Sequence, residues 1–144
     1  ECAPCTVFFN PDDPRFAEPG EMQQKIDVAL DEQGAPHPTS MPEYVRLIIE
    51  SFARRYARAI DELTQISGER PDQLNLVGGG ARNHLLCDLT AEVAQVRVVA
   101  GPIEASTLGS LLAQLEVLGH LDPADRPAVI AATTKTHVHT PSNR

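Results

Sequence analysis

The sequence predicts an α/β protein in which helices pack on a short parallel sheet. Two short apolar runs, residues 74–77 and 96–100, have the character of buried strands. A segment with helical spacing of apolar residues follows each of them. The order strand, helix, strand, helix is typical of parallel pairing through a crossover. The length of 144 residues predicts a single domain.

The predicted helices span about 20–33, 41–67, 83–94, 103–118 and 123–133. In the longest, Ser40 and Glu43 have capping-box spacing and Gly68 supplies a stop. Its expected buried stripe is Val45, Ile48, Ile49, Phe52, Tyr56, Ile60, Leu63 and Ile66. The next two helices are expected to bury Leu85, Leu86, Leu89 and Val93, and then Leu108, Leu111, Leu112 and Leu115.

The arginines of the longest helix, Arg54, Arg55 and Arg58, lie largely off the apolar stripe. We expect them to form a solvated face rather than a row that binds phosphate.

Along the chain we distinguish an irregular lead-in (1–19), a helical and α/β core (20–136) and a polar tail (137–144). Two strong strands are too few for a parallel sheet that is covered on both faces. Either residues 7–9 pair with the sheet, or partner strands precede Glu1, and we favour the second interpretation. The start at Glu1 and the proline-rich lead-in indicate a fragment. An uncovered strand edge favours self-association.

Composition argues against several classes of function. The chain has 20 acidic and 12 basic residues, a net charge of -8, which disfavours nucleic acid and anionic membranes as partners. No apolar run approaches the roughly 20 residues that a membrane span requires, and no leader pattern is present. We therefore expect a cytoplasmic protein.

The metal-ligating residue types give only weak patterns. Cys2 and Cys5 form a CxxC pair that can bind zinc or act in redox chemistry, but we expect ordinary thiols. His137 and His139 would point to one side of an extended segment, and without a third ligand we expect an ordinary tail. We assign no metal site and no catalytic residue.

Three consecutive glycines follow the first predicted strand: Gly78, Gly79 and Gly80. Glycines permit positive φ and leave no Cβ in the way of a flat ligand, and the next helix presents its first amides there. Ala81 continues the turn, and Asn83 stands where that helix begins, as cap or as ligand. The turn predicts a nucleotide site, although glycines that serve only backbone geometry remain an alternative. The spacing is neither GxGxxG nor a P-loop.

Small residues in the segment 100–109, Ala105, Ser106 and Gly109, predict close packing of the following helix. Glu104 stands in its first turn, where the helix dipole favours a carboxylate, or it faces the nucleotide pocket.

Three motifs together resemble the FGGY carbohydrate kinases. They are the glycine turn (74–83), the AGPIEAST segment within 98–109, and NPDDPRF at 10–16. The turn is shared widely in that family, whereas the other two motifs are narrower and resemble its rhamnulokinase branch. The resemblance extends over about residues 3–141.

The resemblance implies the C-terminal part of a ribonuclease-H-like domain of the actin-like ATPase superfamily. It implies ATP or ADP at Gly79, Gly80 and Asn83, adjoined by Gly78 and Ala81, with Mg²⁺ in the complete kinase. The reaction implied is transfer of the γ-phosphoryl group to the C1 hydroxyl of L-rhamnulose, a small ketose held largely by an N-terminal domain. The catalytic Asp lies in that domain, so we expect these residues alone to be inactive. A non-catalytic nucleotide-binding or interaction module of the same superfamily is the alternative.

Overall fold

A computed structural model describes residues 3–142 and divides the chain into two compact units, Glu1–Arg70 and Pro71–Arg144. The first unit contains helices α1 (Met22–Asp31) and α2 (Met41–Ser67). In chain order, the second contains β1 (Gln73–Leu76), α3 (His84–Ala94), β2 (Arg97–Ala100), α4 (Ala105–Val117), α5 (Arg126–Thr133) and β3 (His137–His139). Helix boundaries agree with the sequence analysis to within about two residues, except that α5 begins after a short 3₁₀ turn, Pro123–Asp125.

The first unit is built around the lead-in as well as its two helices. Phe9 is buried in the core, and Val7 and Phe8 pack against it. Residues 7–9 are an anchor and not a strand, so the interpretation that they pair with the sheet is wrong. The core cluster consists of Phe9, Ile26, Ala29, Leu30, Tyr44 and Leu47.

The buried face of α2 differs from the predicted stripe, of which only Ile60 is buried. Val45, Phe52 and Ile66 are 47%, 39% and 84% exposed. The buried face is more polar than hydrophobic spacing suggests because the lead-in needs hydrogen-bond acceptors: Phe9 N donates to Ser51 Oγ over 3.3 Å. The buried residues are Tyr44, Leu47, Glu50, Ser51, Ala53, Ala57 and Ile60.

The start of α2 uses Glu43 in a different way from the predicted capping box. Ser40 is the N-cap residue, but its side chain makes no capping hydrogen bond. The Glu43 carboxylate accepts the backbone N–H of Thr39, the residue before the N-cap, over 2.7 Å. This N–H holds the pKa of the Glu43 carboxyl below its usual value, and the Thr39 hydroxyl adds to the effect. Glu43 is therefore a charged hydrogen-bond acceptor that stabilises the start of α2.

We expect Glu43→Gln to flatten the acid dependence of stability. A carboxyl whose folded pKa is depressed stabilises the fold above its unfolded pKa, near 4.5, and this contribution is lost as pH falls through the folded pKa. Urea unfolding at pH 6, 5, 4 and 3 measures the slope. Glu18→Gln, which removes an exposed carboxylate from the lead-in, is the matched control. Equal slopes for the native chain and Glu43→Gln would contradict the assignment.

The second unit contains a mixed sheet with the strand order β1-β2-β3. β1 and β2 are parallel, as predicted, and Leu74 lies opposite Val98. β3 pairs antiparallel with β2 and places Val138 opposite Val99. The tail expected over 137–144 therefore contains a strand. The sequence analysis missed this strand because three residues, two of them histidines, are too few to show the alternation of apolar and polar residues that predicts a strand.

The helices of the second unit bury fewer leucines than predicted. Helix α3 packs on β2, and Leu85 and Val93 are each 38% exposed. The buried residues of α3 are Leu86, Cys87, Thr90, Ala91 and Ala94. Small side chains on this face let the helix lie close to the strand.

Helix α4 buries Leu112 alone, and Leu111 is 52% exposed. A Cβ added at Gly109 would meet nothing within 4 Å, so the predicted close packing at this residue is wrong for this chain.

Candidate functional site

The glycine turn connects β1 to α3 and is fixed by backbone hydrogen bonds. Gly78 N donates to Pro102 O over 3.1 Å, which ties the turn to the segment that follows β2. Residues Gly79–Arg82 then form one 3₁₀ turn, whose first bond runs from Ala81 N to Gly78 O over 3.1 Å. The N–H groups of Gly79 and Gly80 precede this bond, so helix geometry leaves them without a partner inside the turn.

The three glycines have different structural reasons to be glycine. Gly78 has φ = 79°, in the left-handed region that disfavours other residues. A Cβ on Gly80 would lie 3.3 Å from Leu76 Cδ2, tighter than usual contacts. A Cβ on Gly79 would meet nothing within 4 Å, and its φ is not left-handed. The fold itself therefore does not require glycine at this position.

Asn83 is the N-cap of α3, as the sequence analysis allowed. Its Oδ1 accepts Leu86 N over 3.1 Å, and its backbone oxygen accepts Cys87 N over 3.1 Å. The capping bond uses only the oxygen of the amide, so the two N–H donors of Nδ2 are not consumed by it. The first amides and the positive dipole end of α3 adjoin the same turn. These features can bind an electron-rich or anionic group.

Glu104 is the N-cap residue of α4, and its side chain is exposed and makes no capping hydrogen bond. The Ile103 carbonyl of the same segment lies 4.0 Å from a Cβ built on Gly78.

A histidine cluster that the sequence analysis did not predict lies beside α3. The His84 ring centroid is 5.7 Å from those of both His137 and His139. His139 Nδ1 hydrogen-bonds Asp88 Oδ1 over 2.6 Å, and His139 Nε2 is buried without a hydrogen-bond partner. No sequence spacing could reveal this cluster, because β3 returns to α3 across more than 50 residues. Within residues 3–142, no three His, Cys, Asp or Glu side chains are arranged to hold a metal ion.

The cysteines do not form a site in the described part of the chain. Cys87 is fully buried against the sheet, and burial raises the pKa of its thiol, with the Asp88 carboxylate adding to the shift. Cys5 is half-buried beside α2. Cys2, its CxxC partner, lies outside the described residues.

The chain matches a known family over most of its length. A model of the "FGGY family of carbohydrate kinases, C-terminal domain" matches residues 2–116, which include the whole glycine turn and Asn83. That domain has the actin-like ATPase fold, and a small α/β structure with a mixed sheet is consistent with it. Among the described helices, none has both the length and the apolar character to cross a membrane.

Proposed function

Because the chain belongs to the FGGY family of carbohydrate kinases, we propose that its glycine turn binds the adenosine of ATP in a sugar kinase. The assigned residues are Gly78, Gly79, Gly80, Ala81 and Asn83. The proposal depends mainly on Gly79, where the side-chain position is open space beside two uncommitted backbone donors. A flat base or ribose can approach the main chain there without meeting a Cβ.

The neighbouring groups supply the remaining affinity. Asn83 Nδ2 offers donors to a ribose hydroxyl or to the base, since its oxygen is engaged with Leu86 N. The N-terminus of α3 favours negative charge, and a polyphosphate next to it would be stabilised by the helix dipole and free amides. Because Gly80 has no Cβ, the turn can pack closely against Leu76. This packing fixes the backbone N–H donors of the turn before the ligand binds.

The proposed reaction is transfer of the γ-phosphoryl group of ATP to the C1 hydroxyl of L-rhamnulose. The assignment to this sugar is supported by the resemblance of residues 10–16 and 98–109 to the rhamnulokinase branch. In this mechanism the present residues bind and orient the nucleotide. Phosphoryl transfer also requires a base near the acceptor hydroxyl, and we assign none here. Because ATP is consumed in the metabolism of a small sugar, we propose a cytoplasmic location.

Mg²⁺ accompanies ATP in the FGGY kinases. The ion prefers octahedral oxygen ligands, usually one or two carboxylates with phosphates and waters. Within residues 3–142, no group of three potential ligands is arranged to hold a metal. We assign none of the described residues to the ion.

The outer edge of the sheet is a further proposed contact. β1 has only β2 as its strand neighbour in the described chain. Its other edge carries unpaired backbone groups, which favour addition of a strand. We propose that this edge pairs with a strand of a second copy or of the rest of the kinase.

Titration with ADP and a turnover assay test the proposed function. We expect the chain to bind ADP weakly, with a Kd of about 1 mM. We expect no ADP formation from ATP and L-rhamnulose, because a catalytic base is not assigned among these residues. Rhamnulose-dependent turnover by this chain would contradict the second expectation. Absence of saturable ADP binding would contradict the first and would favour an interaction module with an empty turn.

A further inference from the structure

The arginines of α2 line a cavity in the first unit, and we propose that this cavity binds a small oxyanion of the phosphate class. The cavity has a volume of about 230 Å³. Its lining includes Phe8, Asn10, Ser51, Arg54, Arg55 and Arg58. Arg54 and Arg58 are exposed, as expected for a solvated face, and Arg55 is half-buried. The inference does not depend on the nucleotide proposal, which concerns the second unit.

Arg54 provides a positioned and uncompensated guanidinium. Its Cζ lies 3.7 Å from the centroid of the Phe8 ring. Stacking on an aromatic face fixes the plane of the guanidinium. The N–H groups at its edge stay free, and two of them can bind one anion. Among the described residues, no carboxylate lies within ion-pair distance of Arg54. Its charge is therefore available to a ligand.

Arg55 provides a donor that lacks an acceptor. Its Nε hydrogen-bonds Asp12, which compensates part of its charge. Its Nη1 lies 3.6 Å from Glu62 Oε2, within reach of an ion pair but too far for a hydrogen bond. The same Nη1 is buried without any hydrogen-bond partner. A buried N–H in this state costs free energy, but it is closed to solvent and hence to a ligand. Arg55, whose side chain is 28% exposed, therefore contributes charge to the cavity rather than this hydrogen bond.

The local charge favours an anion although the whole chain is acidic. Three arginines of the cavity face two carboxylates, those of Asp12 and Glu62, which leaves one positive charge in excess. Arg58 is paired with Glu62 over 2.9 Å and is largely exposed, so it contributes mainly long-range attraction. The cavity, with a volume of about 230 Å³, has room for inorganic phosphate or a phosphomonoester.

Titration of the isotope-labelled chain with inorganic phosphate at constant ionic strength tests the proposal. We expect saturable shifts of the Arg54 and Arg55 Nε–H signals and of the Asn10 and Ser51 amides. Arg54→Gln should weaken binding at least about tenfold. Arg54→Lys, which keeps the charge but not the planar fork, should weaken it less. Arg97→Gln, the same change at an exposed position of β2, should leave it unchanged.

The competing anions identify the ligand chemistry. Sulfate should compete with phosphate and chloride should not, and methyl phosphate should bind if the natural ligand is a monoester rather than the free ion. Weaker binding of methyl phosphate than of phosphate would assign the free ion. No saturation up to 50 mM phosphate, or equal binding by Arg54→Gln and Arg97→Gln, would overturn the proposal.

Discussion

Replacement of Gly79 by Val is expected to reduce ADP affinity at least about tenfold, equivalent to about 1.4 kcal/mol, without unfolding the chain. The side-chain position of Gly79 is empty, with no atom within 4 Å of an added Cβ. The new side chain would then occupy the space through which the nucleotide approaches the backbone donors. Because the residue is not in the left-handed region, the fold should tolerate the change within about 0.5 kcal/mol. Amide shifts during titration with ADP measure the affinity.

Gly109→Val is the matched control, since an added Cβ also meets nothing within 4 Å in α4. It should bind ADP like the native chain. Equal affinity of Gly79→Val and the native chain would show that nothing approaches the turn at this residue. An equal loss in both variants would attribute the effect to something other than the turn.

The second large effect is expected in the first unit, where Arg46→Met should lower the free energy of unfolding by about 3 kcal/mol. Glu50 is only 7% exposed, and its carboxylate hydrogen-bonds Arg46 Nε and accepts the Cys5 N–H over 3.3 Å. Methionine keeps most of the side-chain bulk but removes the counter-charge. The carboxylate would then be buried with neutral donors alone, which is costly. Urea unfolding measures the change.

Arg58→Met is the matched control for this prediction. Arg58 and Glu62 have the same (i, i+4) spacing on the same helix, but the Arg58 side chain is 74% exposed. Exposed pairs of this kind contribute only about 0.3–0.5 kcal/mol. The double variant Arg46→Met, Glu50→Gln should regain part of the loss, because no buried charge remains. Equal losses for Arg46→Met and Arg58→Met would contradict the role of burial.

The local features of the fold could be predicted because they depend on nearby residues. Apolar runs bounded by glycine and proline indicated β1 and β2, and the strand-helix order indicated their parallel pairing. Asn83 was predicted at the start of α3 and is its cap, since capping is decided within three residues.

The features that were missed depend on segments distant in the sequence. Glu50 and Ser51 are buried because the backbone of Cys5 and Phe9, more than 40 residues away, needs acceptors. β3 forms because β2 offers it an edge, not because its own three residues have strong strand character. The spacing of apolar residues cannot predict either effect, because it depends only on the residues of one segment.

The candidate site could be predicted only in part. The position of the glycine turn followed from the sequence, but the difference between Gly79 and its neighbours required coordinates, because it depends on Leu76 packing against Gly80. The cavity beside Arg54 likewise required the position of the Phe8 ring in the lead-in.

Mapping the binding site of adenosine tests the nucleotide assignment most directly. Adenosine carries no phosphate, so it does not probe the arginine cavity. In an amide-shift titration of the labelled chain, we expect the largest saturable changes at Gly79, Gly80 and Asn83. Saturable changes confined to other residues, with these three signals unmoved, would contradict the assignment of the turn as the adenosine site.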